Sequence, residues 1–574
     1  MTNKRFADRS VLGRIGFITA LLIISFLLRL GAGLYSGGAE SDAADYTTLA
    51  IQMVTDHDYS YLIQPSSGRQ VLWLWLAVLV GFMRILGATN LAAITATAVF
   101  GTLSLYLFYR LLILFWDSKT SGLIVLILAL NPVHINISHN AFYDSILLCV
   151  LFFSLEKLFR YFREQRISLL ILSGASASLL AVIHATGYIY IFLIWLSFFV
   201  FRRRVKADEA IVFSLAIGLL PLLQVFLWKH YTGSIFPYQK LQRNFLFLEE
   251  LQASGYQFRH CLRYVMYLVI NYSPLLFLSL FVFLFDLRWK KDWTKIIALF
   301  SALGLVVVLR SSVLSQDVVS PLLFVWGIAF VMVLKSELVE KNRLVFFFGL
   351  LGLSIFTLYL RVFPSTGFGP RQFIYPVVFC IPLFWYYGER WVGKKGIVAG
   401  SILCGYVLLF IPAFFFNLPQ HKGDTPPGLN VTYAQFLSPA LPYYERAEKY
   451  KLALEWLKAS GLSKGDYVFS NINNRWLNAN LNLPQNHYLK SGEVYDQSEG
   501  FRRQSLDDID ALFQAHQPRL IIWDLEQHRH EYDLILMDGR KIVDYSPEQF
   551  LKWLGERYQE ITVIGGEILV LERI

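Results

Sequence analysis

The chain has 574 residues, of which 55% are hydrophobic and only 16% charged, with a mean hydropathy of +0.46 and a formal net charge of +10. A soluble chain usually carries about 25% charged residues, so the composition excludes a wholly soluble globular protein and points to a polytopic α-helical membrane protein. The surplus of Lys and Arg reads first as membrane topology; no soluble segment carries the basic face of a nucleic-acid binder, so no nucleic-acid partner is expected.

The short basic N-terminus, residues 1–10, precedes an apolar run longer than a signal-peptide core, which reads as a retained first helix. Apolar runs follow over 11–34, 91–115, 121–138, 145–161, 168–184, 187–201, 210–228, 264–285, 295–310, 318–334, 343–362, 373–388 and 396–416, about thirteen spans in all. Residues 71–87 form a further, ambiguous run that carries Trp73, Trp75 and Arg84. Treated as an interfacial helix, with the N-terminus inside, it leaves the cationic clusters at 160–166, 201–206, 286–295, 335–343 and 388–395 on the inner side. Treated as a span, it would turn all of them outward. Of the four cysteines, Cys149, Cys261, Cys380 and Cys404, three lie in apolar runs and none has metal-ligand spacing, which argues against a disulfide framework.

The composition changes after about residue 416. A Pro/Gly-rich linker over 418–428 leads into alternating helix and strand patterns. Residues 444–461 read as an amphipathic helix stopped by Gly461, and 467–470 and 519–523 as short buried strands. Ser546, Pro547 and Gln549 form a capping box with Pro at the first helical position, and 561–572 reads as a hairpin turning at Gly565-Gly566. The expected organisation is a transmembrane domain over 1–416 and an extracytoplasmic α/β domain over 417–574, with neither an internal repeat nor a Gly-rich nucleotide signature. Asn430-Val431-Thr432 is a glycosylation triplet of a kind common by chance.

Two outer segments carry candidate chemistry. The first holds Glu40, Asp42 and Asp45 just past the first helix, and a helix over 43–54 would set Asp42, Tyr46 and Ala50 on one face. A carboxylate at the headgroup level can serve as general base toward an acceptor hydroxyl or amine; an ordinary solvated acidic loop is the plainer reading. The second, 131–149, contains His134, His139 and Tyr143, with Asp144 opening the next span. There a helix-dipole cap competes with catalysis, and the histidines lack metal-site spacing and read as polar lining.

The order Asp42-x-x-x-Tyr46-x-x-x-Ala50, an interfacial segment, Asn131-Pro132 and then Asp144 resembles the GT-C glycosyltransferases, with a layout similar to lipid A aminoarabinose transferase and the protein O-mannosyltransferases. The resemblance implies transfer of a sugar from a polyprenyl-phosphate carrier to a lipid, glycan or protein acceptor at the outer face, by one inverting displacement. It places the base at Asp42 and a second acid at Asp144. Many members have another acid directly after the base; here that position is Ala43, and Asp45 stands in reserve. Tyr46, His139 and Tyr143 would line the substrate, and Lys240, Arg243 and Arg371 would meet the carrier phosphate, Arg371 with a bidentate fork. For all three cations the plainer reading is a snorkelling anchor. No obligatory cofactor is expected, although a divalent cation between Asp42 and Asp144 is chemically feasible. His184, Arg310 and Asp317 fall near outer helix ends; His184 reads as a satisfied polar group, and Arg310 and Asp317 as able to pair across a short outer loop. The alternatives are a ligase or polymerase of lipid-linked glycans, a transporter and an envelope scaffold. The default location is a bacterial inner membrane, with the N-terminus cytoplasmic.

Overall fold

The computed structural model describes residues 2–36, 42–62, 73–184, 187–201 and 206–232, five positions between 378 and 385, and most of 444–574. In the N-terminal part the helices are α1 (Thr2–Ser36), α2 (Asp42–Thr55), α3 (Leu74–Leu86), α4 (Asn90–Leu112), α5 (Ser118–Ala129), α6 (Pro132–His139), α7 (Asp144–Glu164), α8 (Ile167–Ile183), α9 (Gly187–Phe201) and α10 (Ala207–Thr232). Among the described residues, Gly16–Leu34, Asn90–Leu112 and Ala207–His230 are long and apolar enough to cross a membrane. Ile24 on α1 and Leu215, Leu219, Leu222 and Phe226 on α10 stay exposed, an apolar surface suited to lipid rather than water.

Helices α4 and α7 run side by side in the same direction. The Cys149 thiol donates to the Phe100 carbonyl at 2.9 Å, and farther along both helices Arg110 meets Glu156 at 3.2 Å. Phe108 and Phe152 pack between these points, 4.8 Å apart. The chain must therefore return along the bundle between Leu112 and Asp144, and it does so in two pieces. The apolar run 121–138, expected as one span, folds as α5 and α6. Asn131 breaks it, since its side chain accepts from the His134 amide while Pro132 takes the first position of α6. A consequence is that His134 and His139 lie on a helix inside the bundle, not on an open loop.

Helix α3 has thirteen residues, about 20 Å at 1.5 Å per residue and too short for a hydrocarbon core of about 30 Å. Both of its ends stay at one end of the bundle. Trp73, just before it, stacks edge-on against Tyr46 of α2 at 5.0 Å, and Gly87, just after it, lies three residues from the start of α4. One face is buried through Trp75, Leu76 and Leu79, while Ile85 and Leu86 are exposed. The Trp75 indole donates to the Ala141 carbonyl at 2.9 Å, which ties α3 to the turn before α7.

The C-terminal part is built on a five-stranded sheet, with α11 (Tyr444–Ala459), β1 (Val468–Ser470), α12 (Arg475–Asn480), β2 (Tyr488–Lys490), a small pair β3 (Tyr495–Asp496) and β4 (Gly500–Phe501), α13 (Leu506–His516), β5 (Leu520–Asp524), α14 (Pro547–Gly555), β6 (Tyr558–Ile564) and β7 (Ile568–Arg573). The strand order is β2-β1-β5-β7-β6, parallel for β2-β1-β5 and antiparallel for β5-β7-β6. Side chains alternate across β5. Leu520 and Ile522 join Ala453, Leu457 and Leu477 on the α11/α12 side, and Ile521 and Trp523 join Phe513, Phe550 and Leu554 on the α13/α14 side. The local signals act where expected. Ser546 and Gln549 form the reciprocal capping box, and the β6-β7 turn places Gly565 and Gly566 at φ 58° and 75°, backbone that side chains with a Cβ rarely adopt. Burial pushes the Tyr558 hydroxyl up to about 12, and it donates to the Pro518 carbonyl at 2.8 Å. At Asp466 burial works upward, but hydrogen bonds from Ser463 and Arg519 outweigh it and hold the carboxyl below its usual range.

Candidate active site

The site is assembled where α2, the start of α7 and the end of α8 meet. Asp42 is the first residue of α2; its side chain lies outside the described residues. Asp45 is half-buried one turn along. Because α2 begins at Asp42, the two acids stand three residues apart, roughly 60° around the helix, and are surface neighbours. Tyr46 follows, 9% exposed, and leans on two rings: Trp73 at 5.0 Å and Tyr143 at 6.2 Å. Through Tyr143 the α2 face reaches the turn that opens α7, where Asp144 is fully buried at the first helical position, favoured there by the helix dipole. His184 closes the group. It ends α8 and lies parallel on Tyr143, with ring centroids 4.0 Å apart and planes within 10°. Sequence order gave no hint of this stack, since forty-one residues separate the partners.

His139 has a different position. It is 1% exposed, its Nδ1–H donates to the Ile135 carbonyl at 2.8 Å, and its Nε2 accepts from the Asn140 amide at 3.3 Å. Both ring nitrogens are thus engaged inside α6, behind the Tyr143 turn. Lys240, Arg243 and Arg371 lie outside the described residues.

Sequence reasoning missed Arg29. It sits in the apolar run of α1, fully buried, where a charge is costly without partners. Its guanidinium donates to the carbonyls of Ser25 at 2.9 Å and Ala129 at 3.1 Å, and to His134 Nδ1 at 2.7 Å. Arg has no acceptor, so His134 Nδ1 must accept, and its proton resides on Nε2, which faces Ser104 Oγ at 3.0 Å. The Ser104 hydroxyl in turn donates a hydrogen bond to the Gly101 carbonyl at 2.7 Å. This chain joins α1, α4, α5 and α6. A lone Arg inside an apolar run was the available signal.

Among the described residues, no three of His, Cys, Asp and Glu lie together in a way that would hold a metal ion. The arrangement offers carboxylates beside a wall of rings at one end of a helical bundle, a combination able to accept a proton and to bound a sugar or lipid headgroup.

No protein-family model matches the sequence, and no curated protein matches it. Among solved structures, ArnT from Cupriavidus metallidurans bound to undecaprenyl phosphate aligns over 98% of this chain and 98% of its own, with a TM-score of 0.52 at 13% identity. ArnT in the apo state gives 0.46 at 14% identity with the same coverage. The apo oligosaccharyltransferase of Archaeoglobus fulgidus gives 0.47 at 12% identity over 89% of this chain and 70% of that one. The first of these shows that the chain has the fold of ArnT, a GT-C-type fold.

Proposed function

We propose that the chain is an integral membrane glycosyltransferase that takes a sugar from a polyprenyl-phosphate carrier at the outer face of the membrane and passes it to a lipid, glycan or protein acceptor. The observation that carries this reading is the Tyr46–Tyr143 contact, which draws the acid-bearing end of α2 to Asp144 within a GT-C-type fold. ArnT, whose structure contains undecaprenyl phosphate, supports the choice of carrier.

In the reaction, Asp42 accepts the proton of the acceptor hydroxyl or amine as that atom attacks the anomeric carbon. The bond from the anomeric carbon to the phosphate oxygen breaks, and the polyprenyl phosphate leaves with the electron pair. A single displacement inverts the anomeric centre. Asp144, and Asp45 beside Asp42, orient the acceptor. Lys240, Arg243 and Arg371 are assigned to the leaving phosphate on sequence grounds, Arg371 through its bidentate fork.

The orientation has physical support. Helices α4 and α7 both start at the acid end and finish roughly 30 Å away, where Arg110, Lys157, Arg160 and Arg163 collect. The positive-inside rule sets that cationic end in the cytoplasm and the acids outside. Asn90, at the acid end of α4, touches Asn482, so the C-terminal sheet falls on the acid side. A reporter active only in the cytoplasm, fused after Ile574, should be silent; an active fusion would reverse the orientation. The function itself is tested by incubating the purified chain with radiolabelled polyprenyl-phosphate sugars and candidate lipid, glycan and peptide acceptors. Label should move to an acceptor, and a chain that transfers none of them would refute the reading.

A further inference from the structure

We infer that the C-terminal sheet unit is a clamp that positions the acid-bearing helix α2, with Ala479, Asn480 and Asn482 as its contact residues. Three observations meet here. The first is packing. α2 is held between two bodies: Ala43, Tyr46, Leu49, Ala50 and Met53 are buried in the bundle core, whereas Ala44, fully buried as well, packs against Ala479 of α12. Two alanines at that contact let the helices approach closely, and any larger side chain there must push them apart.

The second observation is a cap supplied from far away in sequence. The first amides of a helix have no partner within it. Thr89, the residue before α4, makes no side-chain cap. Instead the Asn90 amide donates to Asn482 Oδ1 at 2.8 Å, and the Asn90 side-chain amide reaches Asn480 Oδ1 at 3.4 Å. The third is conformation. Asn482 holds φ at 56°, left-handed backbone that asparagine tolerates better than most residues, two residues past the end of α12. The C-terminal unit thus grips α2 through apolar contact and the start of α4 through hydrogen bonds, next to the two acids at the start of α2. The expected effect on turnover rests on the glycosyl-transfer reading; the clamp itself does not.

The test uses the full-length chain in nanodiscs, with hydrogen exchange followed by mass spectrometry on a peptide spanning 42–55. Ala479→Trp should raise exchange there by at least about tenfold while peptides of β5 and β7 stay protected. Asn482→Gly keeps the left-handed backbone and removes the cap; it should raise exchange a few-fold at 90–94 and carries the test if the tryptophan variant does not fold. Lys458→Ala, on the exposed face of α11, should change neither. In the transfer assay Ala479→Trp should lower kcat by about tenfold or more, because a displacement of about 1 Å at a positioned group is that costly, with KM for the lipid donor within about twofold. Unchanged exchange over 42–55 in a folded Ala479→Trp protein would overturn the clamp. Raised exchange with unchanged kcat would overturn its positioning role. A wild-type chain that transfers no sugar would refute the proposed function and leave the exchange result to decide the clamp alone.

Discussion

The two ends of the α4–α7 pair each bury an acid, and they treat it differently. At the cationic end Glu156, 2% exposed, is ringed by Arg110 at 3.2 Å, Lys157 at 2.8 Å and Arg160 at 3.7 Å. At the opposite end Asp144 opens a helix behind Tyr143, His184 and Tyr46. An acid ringed by three cations joins two helices. An acid set at a helix start behind a wall of rings is the one proposed above to orient the acceptor. Burial alone does not separate structural from chemical carboxylates; what surrounds them does.

The sharpest way to break this contrast is to neutralise Glu156 at the cationic end and Asp42, the proposed base, at the acid end. General-base catalysis contributes about 10²–10⁴-fold, so Asp42→Asn should lose at least about a hundredfold in turnover with folding and donor binding intact. Asp45→Asn should lose less, although its place one turn along the same helix narrows the gap. Glu156→Gln should do the reverse, costing on the order of 1–3 kcal/mol of stability with kcat nearly unchanged. Turnover and melting temperature of the purified variants decide it, and a dead but stable Glu156→Gln enzyme would erase the distinction between the ends.

Next in size is the carrier phosphate. Arg371→Ala should raise KM for the lipid donor by about tenfold, the worth of one charge-assisted hydrogen bond. Arg371→Lys should recover only part of this, because it restores charge without the fork. An unchanged KM in the alanine variant would remove Arg371 from the site. A smaller effect is expected at the aromatic wall. His184→Ala removes the parallel partner of Tyr143, and such pairs contribute about 0.5–1.5 kcal/mol; kcat/KM should fall about two- to tenfold, and no change would make the stack purely structural.

The smallest effect concerns acid stability of the sheet unit. The carboxyl of Asp466 is depressed in the folded chain, so its contribution is present above the ordinary aspartate range and is lost as pH falls through the lower folded value. Asp466→Asn should therefore cost roughly 0.2–1 kcal/mol at neutral pH and nothing in strong acid. Melting curves of the two proteins between those limits should converge as pH drops; a constant gap would assign the effect to packing.

What could be read from the sequence follows the range of each signal. The capping box at Ser546, the Gly565-Gly566 turn and the alternation of Leu520 to Trp523 are encoded within a few residues, and the structure has them where the pattern places them. The helices over 90–112 and 144–183 follow from apolar runs. The break at Asn131-Pro132 was written locally too, as a cap followed by proline, but averaging hydropathy over 121–138 hid it. The same averaging hid Arg29. Nothing local announces that Tyr143 will lie on His184, or that Asn482 will cap a helix starting 392 positions earlier. The candidate acids are chosen by the family resemblance, whereas the aromatic wall beside them and its supports depend on contacts distant in sequence.

The Arg29–Ala129 bond also bears on how the chain enters the membrane. Taken singly, α1 brings a guanidinium into lipid, and the α5–α6 segment brings a broken helix whose freed carbonyls have no water to turn to. Each penalty is the other's remedy: the guanidinium of α1 satisfies the last carbonyl of α5 and the imidazole that follows it. Neither element is comfortable until the other has arrived, one hundred residues later in synthesis. The mutual satisfaction makes α1, α5 and α6 interdependent: removing any one strands polar groups of the others in hydrocarbon.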